Sequence, residues 1–244
     1  MANTVAQEAF RHLVGDLQAT HGENLASVVL YGSAAAGDFV RAQSDYNILI
    51  ALHRITPEDL RLSQAPVREW QRLGHPLPVY FTFGELRDAA DVFPIEFHEM
   101  ESARVVLFGR DPFETLRFSD VNLRHQTEYE LRSKLIQLRR LYIPASTSAR
   151  RLQDLMADSL KSFAALFAAV LRLRGQEPPI TRHERVRAAV RALGLDAETF
   201  ERVFALRDAA ADGLGEDEAN ELFASYMLQI EHVIEAVDRH GVSV

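Results

Sequence analysis

Residues 28–52 read VVLYGSAAAGDFVRAQSDYNILIAL, from Val28 to Leu52. The stretch opens in a β-branched, nearly all-apolar run, Leu25 to Tyr31, that stops at Gly32. That pattern predicts a strand buried on both faces. Tyr46 to Leu52 is a second such run. Between them lie Gly32-Ser33, the small residues Ala34 to Ala36, which predict a short helix, and a polar loop ending at Ser44-Asp45. Gly32 has no side chain to keep a ligand at a distance. Ser33 would stand at a helix N-terminus, where unpaired amides and the helix dipole favour phosphate oxygens, although a plain helix cap uses the same residue type. Asp45 and Asn47 are two apart on a strand and so share a face, opposite Tyr46 and Ile48. A phosphate cradle beside a polar pair on the next strand is the layout of a metal–nucleotide site.

Working outward, the first half alternates helix and strand. Val5, Ala9, Leu13 and Leu17 form one helical stripe, which His21-Gly22 ends. Thr56-Pro57-Glu58-Asp59 has a cap residue, Pro at the first position and acids on the positive end of the dipole, and starts a helix toward Leu73-Gly74. Val79 to Phe83 predicts a third strand and Gly84 to Ala90 a helix. Pro94 to Met100 and Ala103 to Phe108 predict a further pair of strands. From Val121 onward the period is helical throughout. Leu131, Leu135, Leu138 and Leu141 recur every three or four residues, and Ser148 to Arg174 is a long helix. Its apolar run from Phe163 to Leu171 places it at a bundle centre. Helices over about Thr181–Leu193, Ala197–Asp208 and Glu216–Arg239 complete the bundle. The fold class is α+β: a small mixed sheet in residues 1–118, then an all-α helical bundle in residues 119–244.

Composition limits the chemistry. The chain has 244 residues, 47% of them apolar, and a net charge of −8. Residues 1–119 hold ten Arg against sixteen acids. An acidic chain lacks the basic face that general nucleic-acid binding needs. It suits a cationic substrate or a metal-bridged anion. There is no cysteine, which excludes disulfides, thiolate metal sites and cysteine nucleophiles. The apolar run at 163–171 is nine residues, well short of the roughly 20 that span a bilayer. Residues Met1 to Phe10 carry Glu8 and lack the apolar centre of a signal peptide. The expectation is a soluble, cytoplasmic protein with no membrane partner.

Gly32-Ser33, an eleven-residue gap and then Asp45-Tyr46-Asn47-Ile48 resemble the motif of the nucleotidyltransferase superfamily, which is Gly-Ser, about ten residues, and Asp-hydrophobic-Asp. The two-part layout is similar to the aminoglycoside (kanamycin and streptomycin type) nucleotidyltransferases. The resemblance implies transfer of a nucleoside monophosphate from Mg²⁺-bound ATP or another NTP to a hydroxyl of a small, cationic acceptor. It implies Gly32 and Ser33 at the phosphates, Asp45 and Asn47 at the metal, a C-terminal bundle that serves substrate, partner or dimerisation, and a homodimer. The chain departs from the motif in two places. Asn47 stands where the family has a second Asp, so an amide oxygen replaces a carboxylate and brings no charge. No acid lies between Glu69 and Glu85, which covers the third strand. Glu96 is then the candidate for the third carboxylate and base, set against a plain polar position on the outer face of a strand. These departures leave a second reading, a nucleotidyltransferase fold that binds nucleotide or a partner without turnover. Asp38 reads as a loop residue, Tyr31 and Tyr46 as packing residues, and Arg182 to Arg191 as a solvated helix face.

Overall fold

The computed structural model describes residues 2–32, 34–35, 46–208 and 214–240. The chain divides into two compact units, Met1–Phe118 and Ser119–Val244.

The first unit is a four-stranded sheet with helices on both faces. In chain order it runs α1 (Ala2–His21), β1 (Leu25–Tyr31), β2 (Asn47–Leu52), α2 (Pro57–Leu62), α3 (Gln64–Arg72), β3 (Val79–Thr82), α4 (Phe83–Asp88), α5 (Pro94–Ser102) and β4 (Arg104–Gly109). The sheet order is β3-β2-β1-β4. β1 is antiparallel to both neighbours, while β2 and β3 run parallel. β1 and β2 are the central strands, which is why both are apolar on two faces. Val28, Leu30, Ile48 and Ile50 pack with Phe10, Leu13 and Leu17 of α1 and Trp70 of α3. Val29, Leu49 and Ala51 pack on the other face with Leu86 of α4 and Phe97 and Met100 of α5.

Several local readings are corrected. Residues 94–102 form a helix, not a strand: Pro94 occupies the first turn, and the Phe97 amide bonds to the Phe93 carbonyl at 3.1 Å. Ile95, Phe97 and Met100 are the buried side. The helix beginning at Pro57 does not continue to Leu73; it breaks at Ser63 into α2 and α3. The expected capping at Thr56 is present and doubled. Its hydroxyl accepts from the Asp59 amide, and the Asp59 carboxylate accepts from the Thr56 amide and hydroxyl at 2.9 and 2.6 Å. Asn24 also donates to Asp59 at 3.2 Å, and His21 Nε2 meets Ser63 Oγ at 2.9 Å. This polar set ties the end of α1 to α2. Burial pushes the His21 pKa down, against the pull of the Asp59 carboxylate.

The second unit has five described helices: α6 (Asp120–Ala145), α7 (Ala149–Leu173), α8 (Arg182–Leu193), α9 (Ala197–Asp208) and α10 (Glu216–Asp238). α7 is the central helix and touches the other four. Its buried aromatic residues Phe163 and Phe167 meet Tyr226 and Phe200 edge-on, and Tyr226 shares a 3.1 Å hydrogen bond with Ser159. Burial raises the Tyr226 phenol far above its ordinary range. Leu141, grouped with the core leucines by spacing, is 47% exposed.

Candidate nucleotide site

The β1–β2 corner is built by a register match. Tyr31 lies opposite Asn47 on one side and Arg104 on the other. The chain then turns at Gly32, whose φ of +84° is a conformation that an L side chain adopts at a cost. The Asn47 amide nitrogen sits 3.3 Å from the point a Cβ on Gly32 would occupy. Gly32 and Asn47 are therefore brought together, as their spacing implied.

The corner amides are partly spoken for. Gly32 N–H donates to the Ala103 carbonyl at 2.9 Å, and Ala35 N–H donates to the Gly32 carbonyl at 2.9 Å. Gly32 thus supplies clearance and not a free donor. The Gly32–Ala35 bond is an i→i+3 turn, and Ala34 is buried within the core on the α1 side, so a larger residue there would collide with packed neighbours. Ser33, Ala36, Asp38 and Asp45 lie outside the described residues.

Tyr46 packs on the opposite side of β2, with ring centroids 5.1 Å from Phe10 and 4.7 Å from His75. Trp70 is buried beside it, and its indole N–H donates to the Pro76 carbonyl at 3.1 Å. This aromatic group anchors the entry into β2. Tyr31 is half-buried and packs against the core on the α5 side, and burial raises its phenol pKa. Both tyrosines are packing residues.

Glu96 is exposed on the first turn of α5, between buried Ile95 and Phe97. An acid there complements the helix dipole. Glu85, the other acid near β3, is engaged in a capping box with Thr82, its carboxylate accepting from the Thr82 amide at 2.7 Å. β3 itself, Val79–Thr82, carries no acid.

Two features of the corner escaped the sequence. One is the Ala103 carbonyl, where α5 feeds into β4. The other is Arg104, which grips Asp111 through Nε (2.9 Å) and Nη2 (2.8 Å) and also donates to the Glu101 carbonyl. Such a two-pronged guanidinium–carboxylate bond fixes geometry as well as charge. Asp111 also accepts from the Phe113 amide at 2.9 Å. The Arg104–Asp111 clasp holds the β4 start in register with Tyr31. The seven-residue interval between the two is no recognisable signal.

The donor set bears on a metal. Among the described residues no group of three His, Asp or Glu could hold one. At the corner the described donor is the Asn47 amide, and Asp45, two residues earlier, is the one carboxylate that the motif adds. Mg²⁺ commonly takes one or two carboxylates plus substrate phosphates and keeps several waters. One carboxylate and one amide fit a single Mg²⁺ held mainly by a triphosphate. They do not fit the pair of ions that the full motif would balance.

No protein-family profile matches the chain, and no curated protein matches it. Among solved structures, a spectinomycin adenyltransferase from Enterococcus faecialis, determined with ATP and spectinomycin, is similar to it at a TM-score of 0.57. Identity is 12%, and the match covers 95% of this chain and 98% of that one. The two proteins share a fold over nearly their full lengths: a mixed sheet followed by helices.

Proposed function

We propose that the chain binds a nucleoside triphosphate with Mg²⁺ at the β1–β2 corner and transfers the nucleoside monophosphate to a hydroxyl of a small, cationic acceptor. The observation that carries this reading is the conjunction at Gly32. A positive-φ glycine ends a buried strand directly beside Asn47, on a fold shared over nearly its full length with an adenyltransferase. Gly32 gives the phosphates room, and the Ser33 amide and hydroxyl donate to their oxygens. Asp45 and the Asn47 oxygen would hold the one Mg²⁺, which would neutralise phosphate charge and align the transferred group. In-line transfer of this kind depends mainly on positioning and charge neutralisation, so a reduced donor set remains compatible with it. Glu96 is the proposed base. It stands on the exposed side of α5, so that role requires the acceptor hydroxyl to reach that side within hydrogen-bond distance. The acid excess of the first unit suits a cationic acceptor, and spectinomycin is the first to try because the structural neighbour was solved with it.

A second reading, nucleotide binding without turnover, is favoured by two particular observations: Asn47 in place of a carboxylate, and a third strand without an acid. Calorimetry and turnover separate the two. ATP and GTP are titrated with and without Mg²⁺, on the native chain and on Asp45→Ala, and pyrophosphate release is followed with spectinomycin and other amino-sugar acceptors. Metal-dependent binding lost in Asp45→Ala, with pyrophosphate released only when acceptor is present, supports transfer. The same binding with no release supports the second reading. Absence of nucleotide binding refutes both.

A further inference from the structure

The bend between α2 and α3 holds a buried polar cluster that the nucleotide reading does not use. Ser63 ends α2 and starts α3, and it is buried. Its hydroxyl donates to the Asp59 carbonyl at 3.2 Å, the same carbonyl that its amide uses at 3.3 Å. Back-bonding of this kind bends a helix, which accounts for the elbow. With its one proton spent, Ser63 Oγ can only accept. The contact with His21 Nε2 at 2.9 Å is then an N–H donated by the imidazole. The Tyr80 hydroxyl on β3 approaches Ser63 without closing a well-formed hydrogen bond. One serine hydroxyl thus joins the end of α1, the elbow and β3.

His21 is 8% exposed, and its other ring nitrogen, Nδ1, is buried with no hydrogen-bond partner among the described residues. In the neutral ring that atom carries only a lone pair. In the protonated ring it becomes a charged donor that faces no acceptor, which is much the costlier group to bury. Two influences oppose this cost. The C-terminus of α1 favours a cation, and Asp59 is the charge that acts on the imidazole. The Asp59 carboxylate, however, already accepts from the Thr56 amide and hydroxyl and from Asn24, and Arg54 lies beside it. Other charges on these helices stand at the surface. Asp16 on α1, Glu23 just after it and Arg68 on α3 are exposed, while Glu58 pairs with Arg61 and Glu69 with Arg72. β1 carries no charged residue, and Arg104 of β4 is held by Asp111.

We propose that the elbow is a proton-released latch: neutral His21 holds the α2–α3 bend on the end of α1, and a second proton on its ring lets that bend part from α1 while the sheet stays folded. α2 and α3 are six and nine residues long, too short to persist without the surface they pack on. Parting therefore frays them. α3 also carries Trp70, which packs beside Tyr46 at the entry to β2, so the latch sets how firmly that entry is held. The device operates whether or not a nucleotide binds.

Hydrogen exchange on the native chain, corrected for the intrinsic pH dependence of exchange, tests this. Protection of the Ser63 and Val67 amides should fall below pH 6.5 with a slope approaching about tenfold per pH unit, that of a single proton, while the β1 and β2 amides hold. The range stays above pH 3.8, clear of the Asp59 carboxylate. His21→Gln keeps an N–H for Ser63 and does not titrate, so its elbow profile should be flat. His12→Gln, at an exposed position on the same helix, should leave the profile unchanged. If His21→Gln fails to fold, the His21 ring is followed by NMR in the native chain, and the elbow profile should level off where that ring titrates. Elbow protection indifferent to pH, a slope retained in His21→Gln, a profile that levels off away from the ring's titration, or equal losses in β1 and β2 would each overturn the proposal.

Discussion

Replacing Gly32 with Ala tests whether the corner is as tight as its geometry states. Two costs apply. The first is the backbone: at φ +84° an L residue is strained by about 1–2 kcal/mol. The second is contact, since the new methyl would lie 3.3 Å from the Asn47 amide nitrogen, worth about 1 kcal/mol at the low end of overpacking. Gly74, at the end of α3 in the same unit, supplies the control. Its φ is +89°, nearly the same, and a Cβ there would meet nothing within 4 Å. Gly74→Ala therefore reports backbone strain alone, and the difference between the two variants isolates the contact. Urea unfolding should give about 2–3 kcal/mol lost for Gly32→Ala against about 1–2 for Gly74→Ala. Adding Asn47→Ala to Gly32→Ala should return about 1 kcal/mol. Equal losses for the two glycines, with no recovery on removing Asn47, would refute the contact and with it the packing of Asn47 against the corner.

Asn47→Asp should raise Mg²⁺-dependent ATP affinity by roughly tenfold, the order expected when a carboxylate replaces an amide beside a divalent ion, and calorimetry reads this directly. Phe97→Ala should cost the first unit about 3–5 kcal/mol in urea unfolding, since Phe97 is 1% exposed and its ring meets Phe81 and Phe113. His21 should make stability depend on pH. Its folded pKa lies below 6.5, so between the two values the unfolded chain binds more protons, and stability rises with pH. The contribution is complete above pH 6.5 and is lost as pH falls toward the folded value, at no more than about 1.4 kcal/mol per pH unit. Asp59, held below 3.8 chiefly by the Thr56 hydroxyl, acts in the same direction but in a lower window. His21→Gln should flatten the urea profile just below pH 6.5 while leaving the Asp59 window in place.

Much of the architecture was readable because local and global signals agreed. Thr56-Pro57 had the residue types of a doubled cap, and a doubled cap formed. The apolar run at 163–171 had no polar face to expose, and α7 became the bundle centre. The misreading at residues 94–102 came from a conflict between signals. Ile95, Glu96 and Phe97 alternate like a strand over three residues, while Phe93-Pro94 with an acid two residues later has the grammar of a helix start; the helix prevailed because Met100 then completes a buried face at helical spacing. At the candidate site, Gly32 beside Asn47 followed from strand adjacency. The Ala103 carbonyl and the Arg104–Asp111 clasp did not, because both depend on β4 pairing with β1 across some seventy residues of intervening chain.

Strand β3 is only four residues long, and both of its ends are closed. Pro78 precedes it, and Thr82 is at once its last residue and the cap of α4. A sheet whose outermost ribbon stops this abruptly offers few spare amides and carbonyls for a stray chain to zip onto. The opposite border, β4, carries a register shift where it meets β1, and such irregularities twist a border away from flat stacking. The fold thereby keeps two very apolar central strands in a position where they are poor templates for fibril growth.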